Sequence, residues 1–194
     1  MRFVIAALFT LIFTAALAGD FEDGVAAYDR KDYASALVKF RSAAQQGNRD
    51  AASLVGMMYN EGTGVLQDYK EAVHWFQIAA LQGDRSAQLG LGFMYGKGQG
   101  VAQDYKEAVR WFRLAAKQGD ARAQHNLCVM YLKGQGVLQD YARAHMWSNI
   151  AAGNGYETAA KMRESLASMM TAQQIEQAQR MARECMSSNF TKCD

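Results

Sequence analysis

Apolar residues recur along this chain at two helical spacings that alternate with one another. In the first pattern they lie four, three and one positions apart, which places them on one face of a helix. The clearest copy consists of Ala87, Leu91, Met94 and Tyr95. The second pattern is a longer apolar stripe, whose clearest copy consists of Tyr105, Ala108, Trp111, Phe112 and Ala115. The chain is therefore predicted to consist of alternating amphipathic helices.

Both patterns return every 36 residues. The marker positions are Asp68-Tyr69, Asp104-Tyr105 and Asp140-Tyr141, then Trp75, Trp111 and Trp147, then the Ala-Ala pairs at 79–80, 115–116 and 151–152, and finally Gly83, Gly119 and Gly155. A fixed period of this length indicates stacked supersecondary units, because one helix pair cannot bury its apolar face alone.

Polar residues and glycines mark the predicted helix ends. Side chains suited to N-caps open the first helices at Asn48, Asp84 and Asp120 and the second helices at Asp68, Asp104 and Asp140. Glu71 and Glu107 have the spacing of a capping box. Gly83 and its repeats suit the left-handed residue that closes a helix.

Three full repeats are predicted at 48–83, 84–119 and 120–155. An atypical helical unit precedes them at 19–47, where Phe40 is in phase with Phe76 and Phe112. The region 156–194 is predicted to be a helical cap, with helices from Thr158 to about Ser168 and from Thr171 to Met186. The last helix is expected to cover the end of the stack.

Residues 1–18 have the features of a secretory signal peptide. A basic Arg2 precedes an uncharged stretch that ends in Ala16-Leu17-Ala18, and cleavage is expected after Ala18. The stretch is shorter than a full membrane span, so an uncleaved anchor is the weaker alternative and no membrane insertion is expected after cleavage. The predicted location is the bacterial periplasm or the exterior.

Composition favours helices, and the charge argues against nucleic-acid binding. Proline is absent, which favours helices. The formal net charge falls from +2 to +1 without residues 1–18, because Arg2 is their only charged side chain. Basic residues are scattered, so nucleic acid is not an expected partner.

No catalytic, cofactor or metal site is predicted from the motifs. His74, His125 and His145 occupy unrelated repeat positions, and neither HExxH nor Cys-x-x-Cys occurs. His145 replaces a valine of the other repeats and is expected to be half-buried. The glycine-rich stretch 96–100 could cradle a phosphate, but similar glycines recur in every repeat and are better explained as connections.

Cysteine placement predicts one disulfide. Cys185 and Cys193 lie eight residues apart near the C-terminus, where a bridge in an oxidising compartment would hold the terminal segment. Cys128 occupies a packing position and is predicted to be a buried free thiol.

The repeat resembles the Sel1-like repeat family, which is related to tetratricopeptide repeats. The residues that carry the resemblance are Ala87, Leu91-Gly92, Tyr95, Gly98, Gly100-Val101, Asp104, Ala108, Trp111, Ala115-Ala116 and Gly119. Cys128 and Ser148 depart from the pattern, replacing a glycine and an aromatic residue. The resemblance implies an all-α, right-handed superhelical solenoid of helix pairs, a concave face lined by first helices, and a scaffold or adaptor function.

The same resemblance implies where a partner would bind. The expected groove residues are Met57, Asn60, Leu89, Phe93, Lys97, Arg122, His125, Val129, Leu132 and Lys133. This groove is predicted to bind a segment of another envelope or secreted protein, with an acidic flank. The alternatives are that the cap helix or self-association fills the groove, that the protein binds peptidoglycan or an envelope sugar, or that it is a β-lactamase-like enzyme. The family's cysteine-rich enzymatic branch carries a cysteine pair in each repeat, which this chain lacks.

Overall fold

The computed structural model describes residues 19–193, so the predicted signal peptide at 1–18 lies outside the described residues. Within this range every regular element is an α-helix. The helices are α1 (19–29), α2 (Tyr33–Gln45), α3 (Arg49–Glu61), α4 (Tyr69–Leu81), α5 (Arg85–Lys97), α6 (Tyr105–Lys117), α7 (Ala121–Lys133), α8 (Tyr141–Gly153), α9 (Glu157–Ala167) and α10 (Ala172–Ser187). The predicted all-α class is confirmed.

The chain divides into two compact units, with the boundary after Ala87 inside α5. The described part of the first unit contains α1 to α4, and α3 packs against both α2 and α4. In the second unit α7 packs against α6 and α8, and α8 also contacts α9 and α10. From α2 to α4 and from α6 to α9, helices that are consecutive in sequence are therefore neighbours in space.

Aspartates cap the second helices as the sequence predicts. The Asp104 carboxylate accepts hydrogen bonds from the backbone N–H groups of Lys106 and Glu107 at 2.8 and 3.1 Å. The predicted capping box is wrong in its other half, because the Glu107 carboxylate accepts from Arg110 instead. Glu71 likewise accepts from the indole N–H of Trp75. A complete capping box occurs at α10, between Thr171 and Gln174.

The glycine-rich connections are explained by backbone geometry. Gly134 ends α7 in the left-handed conformation, and its N–H donates to the carbonyl of Met130. Gly136, also at positive φ, lies so close to the backbone of Tyr105 that a Cβ would clash with the Tyr105 carbonyl. Both glycines are thus required by the loop and by its packing.

In the first two repeats, a glycine on the first helix faces a phenylalanine of the second helix. A Cβ placed on Gly56 would lie 2.6 Å from Cδ1 of Phe76, and one on Gly92 would lie 2.5 Å from Cδ1 of Phe112. Each ring therefore fills the space that a side chain on the facing helix would occupy.

The same contact is present in the N-terminal pair, where a Cβ on Gly24 would lie 2.6 Å from Cδ1 of Phe40. Gly24 precedes Phe40 by 16 residues, whereas Gly56 precedes Phe76 by 20. The region predicted to be atypical is therefore a helix pair of the same kind with a shorter connection.

The third repeat has different residues at both positions of this contact. Cys128 stands at the glycine position and Ser148 at the phenylalanine position, and both side chains are fully buried. The Ser148 hydroxyl donates to the carbonyl of His145 at 2.9 Å. Compared with the first two repeats, the third therefore has a larger residue on α7 and a smaller one on α8.

The C-terminal region contains two helices close to the predicted bounds. Helices α9 and α10 form, and α10 packs against α8. A disulfide joins Cys185 to Cys193, and Cys128 is a buried free thiol whose pKa burial raises to about 12. None of the helices in the described residues is long and apolar enough to cross a bilayer.

Candidate partner-binding surface

Phe93 is the exposed aromatic residue on α5 in the second unit. Phe93 is 37% exposed, and its ring meets the buried ring of Phe112 edge-on, with centroids 5.4 Å apart. The ammonium of Lys97 lies 5.8 Å from the Phe93 centroid, within the range of a cation–π contact. One side of the Phe93 ring thus packs on the core, and a positive charge lies beside the ring.

Helix α7 presents the other second-unit residues expected in the groove. Arg122 and Lys133 are exposed, while Val129 and Leu132 are partly buried. His125 lies 5.0 Å from the ring of Tyr156, and burial lowers the pKa of its imidazole. His125 is therefore expected to be neutral near pH 7, which leaves the positive charge to the lysines and the arginine.

Leu89 does not belong to the accessible surface. Its side chain is only 4% exposed and lies in the core cluster that contains Val109, Phe112 and Leu127. The expectation that Leu89 lines the groove is wrong, because α5 turns this position towards the core. We define the first-helix surface of the second unit as Phe93, Lys97, Arg122, His125, Val129, Leu132 and Lys133.

Two expected groove residues belong to the first unit, on α3. Met57 is 36% exposed and Asn60 is partly buried. The carbonyl of Asn60 accepts a hydrogen bond of 2.8 Å from the side-chain amide of Gln67. Met57 occupies the same repeat position as Phe93 and Val129, so this position is apolar in every copy.

The sequence interpretation missed a glutamine that secures the end of each first helix. Gln103 donates to the carbonyl of Gly96 at 2.8 Å, and Gln139 donates to that of Leu132 at 2.7 Å. These carbonyls lie in the last turn of a helix, where intrahelical partners run out. The glutamines recur every 36 residues, so the sequence period itself marks them as part of the repeat. They fix the helix ends that carry Lys97 and Lys133.

The family is decided by a match over three consecutive repeats. The Sel1 repeat matches residues 49–84, 85–120 and 121–156, which together exceed half of the chain. The chain belongs to the Sel1 repeat family. Each matched range begins one residue after the start predicted for that repeat.

Two solved structures resemble this Sel1 repeat chain. A Sel1 repeat protein from Oxalobacter formigenes is 33% identical with a TM-score of 0.70, over 74% of this chain and 59% of that one. A protective antigen of uropathogenic Escherichia coli strains, with an SLR fold, is 26% identical with a TM-score of 0.63, over 91% of this chain and 47% of that one. The chain thus spans about half the length of these proteins. No curated protein matches it.

Within the part of the chain that the structure describes, no group of side chains has the arrangement of a metal site. Among residues 19–193, no three His, Cys, Asp or Glu side chains lie close enough to hold an ion. His74 is exposed and stacks edge-on with Trp75 in the first unit. His145 is 3% exposed, so it is fully buried rather than half-buried as predicted.

Charge on the first-helix surface of the second unit is positive. Lys97, Arg122 and Lys133 contribute three cationic side chains, and Asp120 lies 3.8 Å from Arg122. Asp120 also accepts hydrogen bonds from the backbone N–H groups at the N-terminus of α7, so its negative charge interacts with the helix end as well as with Arg122. An exposed aromatic ring among cations suits a partner that has apolar and acidic side chains.

Proposed function

We propose that this protein is an exported, non-catalytic Sel1 repeat scaffold that binds another envelope or secreted protein through its first-helix surface. Sel1 repeats generally mediate protein–protein interactions, which gives the class of function. The chemistry of the surface gives the kind of segment that would bind, which is apolar with an acidic flank.

The observation that carries the proposal is the exposed ring of Phe93. Aromatic side chains dominate the binding energy of protein interfaces, especially where a well-packed base supports them. Phe93 rests on the buried Phe112, and Lys97 lies beside it. A partner that covers Phe93 would gain apolar burial, and a carboxylate near Lys97 would gain charge complementarity.

Export is supported by two independent features. Residues 1–18 have the pattern of a cleaved signal peptide. The pair Cys185–Cys193 forms a disulfide, and such bonds persist in oxidising compartments such as the periplasm. A solved relative that is described as a protective antigen also fits a location outside the cytoplasm.

The decisive experiment is crosslinking and mass spectrometry in the native envelope, with two variants of equal exposure. Phe93 is 37% exposed and Leu114, on α6, is 36% exposed. Phe93→Asp is expected to abolish the specific crosslink, since it replaces the aromatic anchor by a negative charge. Leu114→Asp should leave it intact. Equal crosslinking by both variants, at unchanged helicity, would show that this surface is not the binding site.

A charge-reversal pair tests the acidic flank separately. Lys133→Glu lies on the proposed surface, whereas Lys117→Glu lies at the end of α6. We expect only the first to weaken partner capture, with the difference shrinking as salt is raised. Turnover of a chromogenic β-lactam by the purified protein would instead support the enzymatic alternative.

A further inference from the structure

A cavity of about 340 Å³ opens among the last three helices of the second unit. His145 and Asn149 of α8, Arg163 and Glu164 of α9, and Gln179 and Arg183 of α10 supply its polar lining. Ala167 and Ile175 form the apolar part of the wall. None of these residues belongs to the first-helix surface, so this site is independent of the proposed function.

His145 is the residue that the repeat architecture does not explain. Val73 and Val109 occupy the same position in the other repeats, which shows that a small apolar side chain satisfies the packing there. His145 is 3% exposed, and its buried Nδ1 atom has no hydrogen-bond partner. Burying such a nitrogen without a partner costs stability.

An unpaired buried nitrogen is not decisive by itself, since the indole nitrogens of Trp111 and Trp147 are also unpaired. What distinguishes His145 is that it lines a cavity together with two guanidinium groups. Buried polar groups without partners call for an explanation, and ligand binding is one.

The two arginines differ in how they are held. Arg163 donates from Nη1 to the Oδ1 atom of Asn149 at 3.2 Å, which fixes its guanidinium against α8. Arg183 is exposed and reaches the cavity from α10. The lining also contains one acidic group, Glu164, so the formal charge around the cavity is positive. Guanidinium groups bind carboxylates through paired, parallel hydrogen bonds.

We propose that this cavity binds a carboxylate that carries a short apolar group, with Arg163 and Arg183 holding the carboxylate and Ile175 contacting the apolar part. The volume falls at the lower end of the range for small-ligand sites, which excludes a folded segment. A small organic acid and the C-terminal residue of a peptide share this chemistry.

The test is an NMR titration of the purified full chain with three probes. These are isovalerate, an acetylated dipeptide that ends in leucine with a free carboxylate, and the same dipeptide as its C-terminal amide. We expect saturable shifts for residues around the cavity with the free carboxylates only. Tighter binding of isovalerate would identify small acids as the ligands, and tighter binding of the dipeptide would identify peptide termini.

Two exposed arginines of α10 supply a matched pair of variants. Arg183 lines the cavity, whereas Arg180 pairs with Glu176 one turn earlier. Arg183→Gln is expected to weaken carboxylate binding about five-fold, because it removes a charge-assisted hydrogen bond. Arg180→Gln should bind as the unaltered chain does. Equal loss in both variants, equal binding of the amide, or shifts that never saturate would overturn the proposal.

The pH dependence gives a readout that a purely structural role would not produce. Burial, together with the charge of Arg163, lowers the pKa of His145. A bound carboxylate would favour the imidazolium, so binding should tighten as pH falls below neutrality. Glu164→Gln is expected to retain this trend, and His145→Val to lose it. If the pH dependence disappeared in Glu164→Gln and persisted in His145→Val, it would come from Glu164, which would contradict the proposed role of His145.

Discussion

At the scale of single residues, the repeat is held by pairs of complementary size. Gly56 with Phe76 and Gly92 with Phe112 place a ring where the facing helix has no side chain. Glycine is unfavourable inside a helix by about 1 kcal/mol relative to alanine. Its recurrence at this position is therefore explained by the space that each phenylalanine needs, since interiors are close-packed.

Two glycines of α5 provide a direct test of this explanation. A Cβ on Gly92 would overlap the Phe112 ring, whereas one on Gly96 would lie at ordinary distances of 3.8 and 3.9 Å from its neighbours. Gly96→Ala is expected to stabilise the protein by about 0.5–1 kcal/mol through helix propensity. Gly92→Ala should destabilise it, with overpacking of about 1–3 kcal/mol exceeding that gain. Urea unfolding measures both, and equal effects would refute the size argument.

His145 predicts a pH dependence of folding. Burial lowers its pKa in the folded protein, so the unfolded state binds more protons below the ordinary value of about 6.5. The free energy of unfolding is therefore expected to be highest above pH 6.5 and to fall as the solution is acidified. His145→Val should flatten this decline, leaving the part due to His125, whose pKa is also lowered. His74→Gln, at an exposed position, serves as the control in the same urea titrations.

At the scale of elements, the helices have equal lengths because similar residues recur at their ends. Each helix from α2 to α8 has 13 residues. Polar caps begin them, and left-handed glycines at or just past the C-cap end them, as at Gly62, Gly134 and Gly119. Glutamines then secure the last turns of α3, α5 and α7. Because both ends are set by local chemistry, the copies remain in register.

The packing of α7 against α8 predicts a coupled pair of substitutions. Ser148→Phe alone should destabilise the protein, since the ring would meet Cys128 where the other repeats have glycine. Adding Cys128→Gly recreates the arrangement of the second repeat and should recover most of the loss. The expected coupling is about 1–3 kcal/mol, as for residues in direct contact. A double-mutant cycle measured by urea unfolding would show additive effects if the two sites were independent.

At the scale of the whole molecule, the two units are built from the same kind of helix pair and differ in the elements that follow the repeats. Each contains helix pairs with the same glycine–phenylalanine contact. The second unit alone, among the described residues, ends in helices without a repeat partner, α9 and α10, and in the Cys185–Cys193 disulfide. Recognition is therefore expected to depend on side chains that change between copies, because the invariant ones maintain the stack.

Export predicts a specific pattern of thiols. Protein recovered from the periplasm should begin at Gly19 and, after denaturation, expose one reactive thiol, that of Cys128. Native protein should not react, because Cys128 is buried and its pKa is raised to about 12. A variant without residues 1–18 should remain in the reducing cytoplasm and expose three thiols after denaturation. Intact mass spectrometry after alkylation distinguishes these states, and an unprocessed N-terminus would contradict the signal peptide.

Much of the fold was predictable because it depends on local and periodic signals. The helix ends at Asp104 and Gly119 are set by hydrogen bonds within a few residues of each cap. The disulfide was predictable because only two cysteines lie near each other at the C-terminus. The burial of Leu89 was not predictable, because its first-helix position is decided by neighbours that are distant in sequence.

The sequence by itself determined the all-α repeat, its register and the chemistry of each helix end, since these follow from propensity and from recurrence at a fixed period. Only the tertiary structure decided that Cys128 and Ser148 are both fully buried, that Leu89 is buried while Phe93 is exposed, and that His145 lines a cavity together with Arg163 and Arg183. These properties depend on which side chains meet across helices, and a period of 36 residues fixes the spacing of the helices but not the fit between their surfaces.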